Sequence, residues 1–120
     1  MNGIQTKRVY DSPGPEDGAR LLVDRLWPRG VTKEKLQLAG WLKEVAPSDS
    51  LREWFDHNLA RWEHFEQRYF DELEANPKAW QPILEAARQG KVTLLFAAKD
   101  VEHNNAVVLK AFLEHKMAPK

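Results

Sequence analysis

The clearest hydrophobic pattern in the chain is KVTLLFAA at residues 91–98, which is apolar almost throughout. Such a run predicts a strand covered on both faces, which belongs inside a sheet and not at its edge. IQTKRVY at 4–10 and ARLLVDRLW at 19–27 are two further predicted strands. They are joined by DSPGPEDG at 11–18, a loop by its two prolines and two glycines. A loop of eight residues is too short for a parallel crossover between neighbours. The two strands are therefore expected to be antiparallel neighbours or to lie apart in the sheet. GWLKEVAP at 40–47 reads as a strand, and a helical reading is nearly as good.

Steps of three and four separate Leu59, Trp62, Phe65, Tyr69 and Leu73, which predicts an amphipathic helix. Asn76-Pro77 ends it, Trp80, Ile83, Leu84 and Ala87 start another face, and Gly90 stops that one. Thr32 caps a short helix through about Leu38. Ser48, Asp49 or Ser50 caps the helix LREWFDHN, with Asn58 as its C-terminal stop. A last helix over roughly 104–115 buries Val108, Leu109 and Phe112. The expected order is β-β-α-β-α-α-α-β-α. This is an α/β layered sandwich, one domain over residues 1–120, with a small mixed, partly parallel sheet flanked by helices. The strand at 91–98 is expected to run parallel to that at 19–27.

Two strands end in dense polar sets. Asp24 and Arg25 sit inside the expected strand 19–27, Trp27 at its end and Arg29 just past it; after 91–98 come Lys99, Asp100, His103, Asn104 and Asn105. In open α/β sheets ligands bind beyond the carboxyl ends of parallel strands, where helix N-termini also gather. If these two strands are parallel, both polar sets share one rim. Strand alternation would put Asp24 and Arg25 on opposite faces. A structural reading pairs Asp24 with Arg8, whereas a functional reading makes Arg25 and Arg29 a forked anion site. Asp100 or Asn104 as an N-cap explains part of the second set. A cap does not require Lys99, His103 and Asn105 as well. His103 is the histidine placed in a strand-to-helix connection and is the candidate for proton transfer, with Asp100.

Composition removes whole classes of chemistry. The 120 residues contain no cysteine, which excludes disulfides, thiolate catalysis and cysteine-ligated metal. His57 and His64 are seven apart, badly spaced for a helical metal pair, so no metal and no cofactor are expected. Lys plus Arg equals Asp plus Glu at 18 each, which does not favour nucleic acid as a partner. No apolar run reaches the roughly 20 residues of a membrane span, and the start lacks a signal peptide's apolar core. The expectation is a cytoplasmic protein without a membrane partner. Trp41, Trp54, Trp62 and Trp80 fall at core spacing, while Trp27 stands between Arg25 and Arg29. The chain has no phosphate-cradling glycine loop and no nucleophile elbow.

Taken together, VDRLWPRG, WLKEVAPS, LREWFDHNLARWEHF and VTLLFAAKDVEHNNAVVL resemble the YeaO-like branch of the bacterial domain-of-unknown-function family 488. The likeness runs from RVYD at 8–11 to about residue 113. Its characteristic positions fall on Arg20, Asp24, Arg25, Trp27, Pro28, Arg29 and Gly30, then on Trp41, Lys43, Ala46, Pro47 and Ser48. They continue at Trp54, Phe55 and His57, and end at Ala98, Lys99, Asp100, His103, Asn104 and Asn105. The resemblance brings no established activity with it. It does show two departures. Asn58-Leu59 stands where the family usually has Asp-Pro after the histidine. Longer relatives carry Cys near Phe96 and a Cys-His-Arg cluster where Asn104, Asn105 and Ala106 stand here. Loss of those groups weakens the enzymatic analogy and favours Arg, Lys, His and Asn contacts to an anion.

Three readings follow. In the first, Arg25 and Arg29 hold an anionic, phosphate- or nucleotide-like small molecule, Lys99 and Asn104 orient it, and Asp100 and His103 move protons. In the second, a non-enzymatic module binds nucleic acid or protein through the RLWPRG surface. In the third, the polar set only supports the core. A concave pocket enclosing these residues would favour the first and a flat basic face the second.

Overall fold

The computed structural model describes residues 3–118. Four strands, β1 (Ile4–Arg8), β2 (Ala19–Leu22), β3 (Gly40–Trp41) and β4 (Val92–Phe96), form one sheet in the order β1-β4-β2-β3. Every described pairing is parallel, with Ile4 opposite Val92 and Leu21 opposite Leu94, so the sheet is parallel throughout where a mixed one was expected. β4 lies inside the sheet, parallel to β2, and all five of its residues are buried. Each fully buried Leu of this strand contributes on the order of 1.5–3 kcal/mol.

β1 and β2 lie apart with β4 between them, the second of the two expected arrangements. The ten residues joining them reach at most roughly 33–36 Å. That is enough to cross two strand spacings of about 4.8 Å and to return along the strand. The connection contains a 3-10 turn, Pro15–Asp17, and ends at Gly18.

Five helices complete the chain: α1 (Lys33–Leu36), α2 (Asp49–Phe55), α3 (Trp62–Glu74), α4 (Pro77–Gln89) and α5 (Asn105–Met117). Thr32 caps α1 by accepting from Lys35 N, and Ser48 caps α2 by accepting from Leu51 N. Ser48 is fixed in turn from α3, since its own N–H and hydroxyl donate to Glu72 at 2.8 and 2.5 Å. None of the described helices is long and apolar enough to cross a membrane.

Several expected boundaries move. The strand at 19–27 ends at Leu22, although Val23 N still donates to Leu95 O at 3.1 Å. Asp24 and Arg25 therefore lie beyond the strand, and alternation does not govern them. The chain turns there because Asp24's carboxylate and carbonyl are both engaged, the first by Ala97 N and the second by Trp41 Nε1. Segment 40–47 satisfies both of its readings in part, as a two-residue strand followed by a 3-10 turn at Lys43–Val45. Helix α2 stops at Asp56 in the left-handed region, while Asn58 caps the next turn, Leu59–Arg61, by accepting from Ala60 N. Leu59 is consequently 54 % exposed and off the core face.

The two faces of the sheet differ. Ile4, Leu21, Val23, Leu94 and Phe96 point into the larger core with Leu51, Phe65, Tyr69, Ile83 and Phe112 from the helices. The other face packs Val9, Leu22 and Leu95 against Leu36, Val31, Leu38 and Trp41. Further along that face the contacts are ionic. Asp17, 1 % exposed, takes Arg20 Nη1 at 2.5 Å, Lys7 Nζ at 3.1 Å and Gly14 N at 3.0 Å. Arg20 Nε also donates to Leu36 O at 2.8 Å, which ties α1 to the sheet.

Candidate functional site

Because all strands run the same way, Val9-Tyr10, Val23–Pro28 and Ala97–Asn105 leave the sheet at one end. The two polar sets do meet there. Asp24 Oδ2 accepts from Ala97 N at 2.9 Å, and Asn105 Nδ2 donates to Val23 O at 3.1 Å. Burial pushes the Asp24 carboxyl up, against the lowering effect of the Ala97 and Asn105 hydrogen bonds and of the Arg52 charge. Arg8 does not pair with Asp24. It donates to Ala98 O at 3.0 Å and Ala97 O at 3.4 Å and lies over the Tyr10 ring at 5.0 Å.

The expected fork of Arg25 and Arg29 opens out. Arg25 turns toward the α2 cap, with Nη2 3.3 Å from Ala46 O and Nε 3.6 Å from Asp49 Oδ1. Its Nε is buried and makes no hydrogen bond. Trp27 goes elsewhere. Its Nε1 donates to Val31 O at 2.8 Å, and its ring meets Trp41 edge-on at 5.4 Å. Arg29 is exposed, and its carbonyl accepts from Tyr10 Oη at 2.9 Å. Lys99 is exposed too, and among the described residues no hydrogen bond or ion pair engages its amine or the Arg29 guanidinium.

The second set is largely built into the start of α5. Asp100 Oδ1 accepts from Glu102 N and His103 N at 2.9 and 3.0 Å, while His103 Nδ1 lies 3.0 Å from Oδ2. The Glu102 N–H is the foremost cause of Asp100's lowered pKa, with His103 adding to it against some desolvation. The His103 ring stands edge-on to Trp62 at 5.0 Å. Asn104, 4 % exposed, accepts from Val107 N as the helix cap and donates to Asp100 O. Among the described residues no three His, Asp or Glu side chains gather as metal ligands.

Tyr10 and Val101 escaped the sequence reading. With Leu26 and Trp27 they are 36–67 % exposed, and all four stand on loops at this end of the sheet. The signal was present as large apolar residues just past strand ends, but which loops would share a rim depended on strand direction.

A parallel sheet layered with helices, carrying these motifs at its strand ends, places the chain in a defined group. Residues 3–120 match the family described as the inactive DUF488-N3 subclade, and the chain belongs to it. It is 41 % identical over 110 residues to the uncharacterized protein YeaO of Escherichia coli K12, covering 92 % of this chain and 96 % of that one. It is 37 % identical over 110 residues to the uncharacterized protein Rv3073c of Mycobacterium tuberculosis H37Rv, covering 92 % of each. The same figures hold for Mb3100c of Mycobacterium bovis. No solved structure matches.

Proposed function

We propose that the protein is a non-enzymatic recognition module that binds a protein partner through the RLWPRG loop and the neighbouring strand ends. One observation carries this reading. Of the five exposed large apolar side chains among the described residues, four, Tyr10, Leu26, Trp27 and Val101, stand on this one rim. Tyr, Trp and Arg anchors beside such apolar surface are the composition of interface hot spots. Most of the polar groups around them are already engaged: Asp24 and Asn105 tie β2 to β4 and α5, and Asp100 and Asn104 close the turn into α5 and cap it. The cleft of about 610 Å³ in this fold lies beside α4, lined by Trp80, Leu84 and Arg88 among others, away from the rim. The description of the family as inactive also supports binding without catalysis.

A photo-crosslinking residue at Leu26, introduced in cells, is expected to trap a discrete protein. The yield should fall when Trp27→Ala or Arg29→Gln is added. A second reading, an anionic small molecule held by Arg25, Arg29 and Lys99, is supported by the unbonded Arg25 Nε and the two unpaired cations. In that reading the 3.0 Å contact of Asp100 and His103 is available for proton transfer. No crosslinked protein, together with a nucleotide-induced thermal shift lost in Lys99→Gln, would refute the first reading in favour of the second.

A further inference from the structure

Trp54 of α2 carries two arginines on its indole. The guanidinium carbon of Arg61 lies 5.2 Å from the ring centroid and that of Arg68 lies 4.6 Å from it. Arg61 also donates through Nη1 to the Trp54 carbonyl. His64 approaches the same indole edge-on at 6.5 Å. Arg61 closes the turn before α3, His64 and Arg68 lie four apart on α3, and all three are exposed. Among the described residues neither Arg61 nor Arg68 has a carboxylate within ion-pair distance.

This arrangement differs from ordinary surface arginines, which are mobile or neutralised by a neighbour. Stacking uses the face of a guanidinium and leaves in-plane N–H donors available; the Trp54 carbonyl takes one from Arg61, and no hydrogen bond to Arg68 is formed among the described residues. The indole thus holds two forked donors in place before any ligand arrives, which lowers the entropy cost of ordering them. The two guanidiniums, each about 5 Å from the one indole centroid, offer two charges within about 10 Å of each other, which suits a ligand with neighbouring anionic groups. A nucleic-acid backbone would draw on a longer array of cations than these two.

We propose that the Arg61–Trp54–Arg68 face docks an acidic peptide segment of a partner protein, its carboxylates taken by the two stacked guanidiniums. The proposal shares no residue with the RLWPRG loop and does not depend on that surface being functional. The full-length protein is titrated into fluorescein-labelled hexaglutamate at low salt, with labelled hexaserine and a hexathymidine oligonucleotide as comparators, and anisotropy is read. Hexaglutamate should bind in preference to both. Its affinity should fall at least roughly tenfold in Arg61→Gln/Arg68→Gln. Arg61→Lys/Arg68→Lys should restore it only in part, since lysine keeps the charge and loses the fork. Lys33→Gln/Lys91→Gln, at exposed lysines on other elements, should bind as the wild type does. Circular dichroism and thermal midpoints confirm that the exposed-site variants fold. Failure of hexaglutamate to exceed hexaserine, unchanged affinity in the double Gln variant, or stronger binding of the oligonucleotide would overturn the proposal.

Discussion

Replacing Asp17 by Ala removes the carboxylate that holds together one face of the sheet, and the cost follows from what remains. Arg20 is 5 % exposed, and its Nη2 already lacks a hydrogen-bond partner. Without Asp17 its charge keeps only the Nε bond to Leu36 O, Gly14 N loses its acceptor, and Lys7, 21 % exposed, retreats toward solvent. Stranding a buried charge in this way costs about 3–5 kcal/mol. A domain of this size has roughly 6–18 kcal/mol in all. Urea unfolding of Asp17→Ala should show that loss as a lower midpoint with an unchanged slope. The double variant Asp17→Leu/Arg20→Met, which removes both charges, should recover most of it, because a buried ion pair is worth little against apolar groups of similar volume. The effect also has a direction in pH. Burial opposes ionisation of Asp17, but bonds from Gly14, Lys7 and Arg20 outweigh it, so its pKa is lowered in the folded state. Its contribution is complete above the ordinary carboxylate range and is lost as pH falls through the lowered value, so variant and wild type should converge in acid. A loss below about 1 kcal/mol, or a double variant that shows the sum of the two single losses, would refute this reasoning.

Two further outcomes are expected. Asp24 has a raised pKa because of burial, so its ionised form weakens the fold as pH rises through that value. Asp24→Asn should therefore gain stability relative to wild type as pH rises above the ordinary carboxylate range, measured by thermal unfolding, and a flat difference would contradict the burial argument. Gly18 adopts φ +64°, and a Cβ there would sit 2.1 Å from Lys91 O. Gly18→Ala should cost roughly 2–3 kcal/mol in chemical denaturation, whereas Gly30→Ala, at φ +71° with open space around it, should cost about 1 kcal/mol.

The chain's own periodicity determined the helices and the central strand. Phe65, Tyr69 and Leu73 had to share a face, and KVTLLFAA had to be covered on both sides, whatever the topology. Capping chemistry was equally local, since Thr32, Ser48 and Asn104 reach backbone N–H groups three residues on. The meeting of the two polar sets at one rim was also legible, because it needed only that 91–98 run parallel to the second strand. Strand ends were not legible. Asp24 leaves the strand because Ala97, seventy-three residues away, donates to it, and that contact exists only once the sheet is assembled. Arg25 and Arg29 are close in sequence, yet their surroundings separate them, one drawn to the α2 cap and the other exposed beside Tyr10. Placing Arg61 and Arg68 on Trp54 required α2 to pack against α3 at a particular angle. Local pattern decides which face of an element is apolar. Which polar groups then find partners across the fold, and which stay free to meet a ligand, is decided by packing, because each depends on a distance that no sequence spacing encodes.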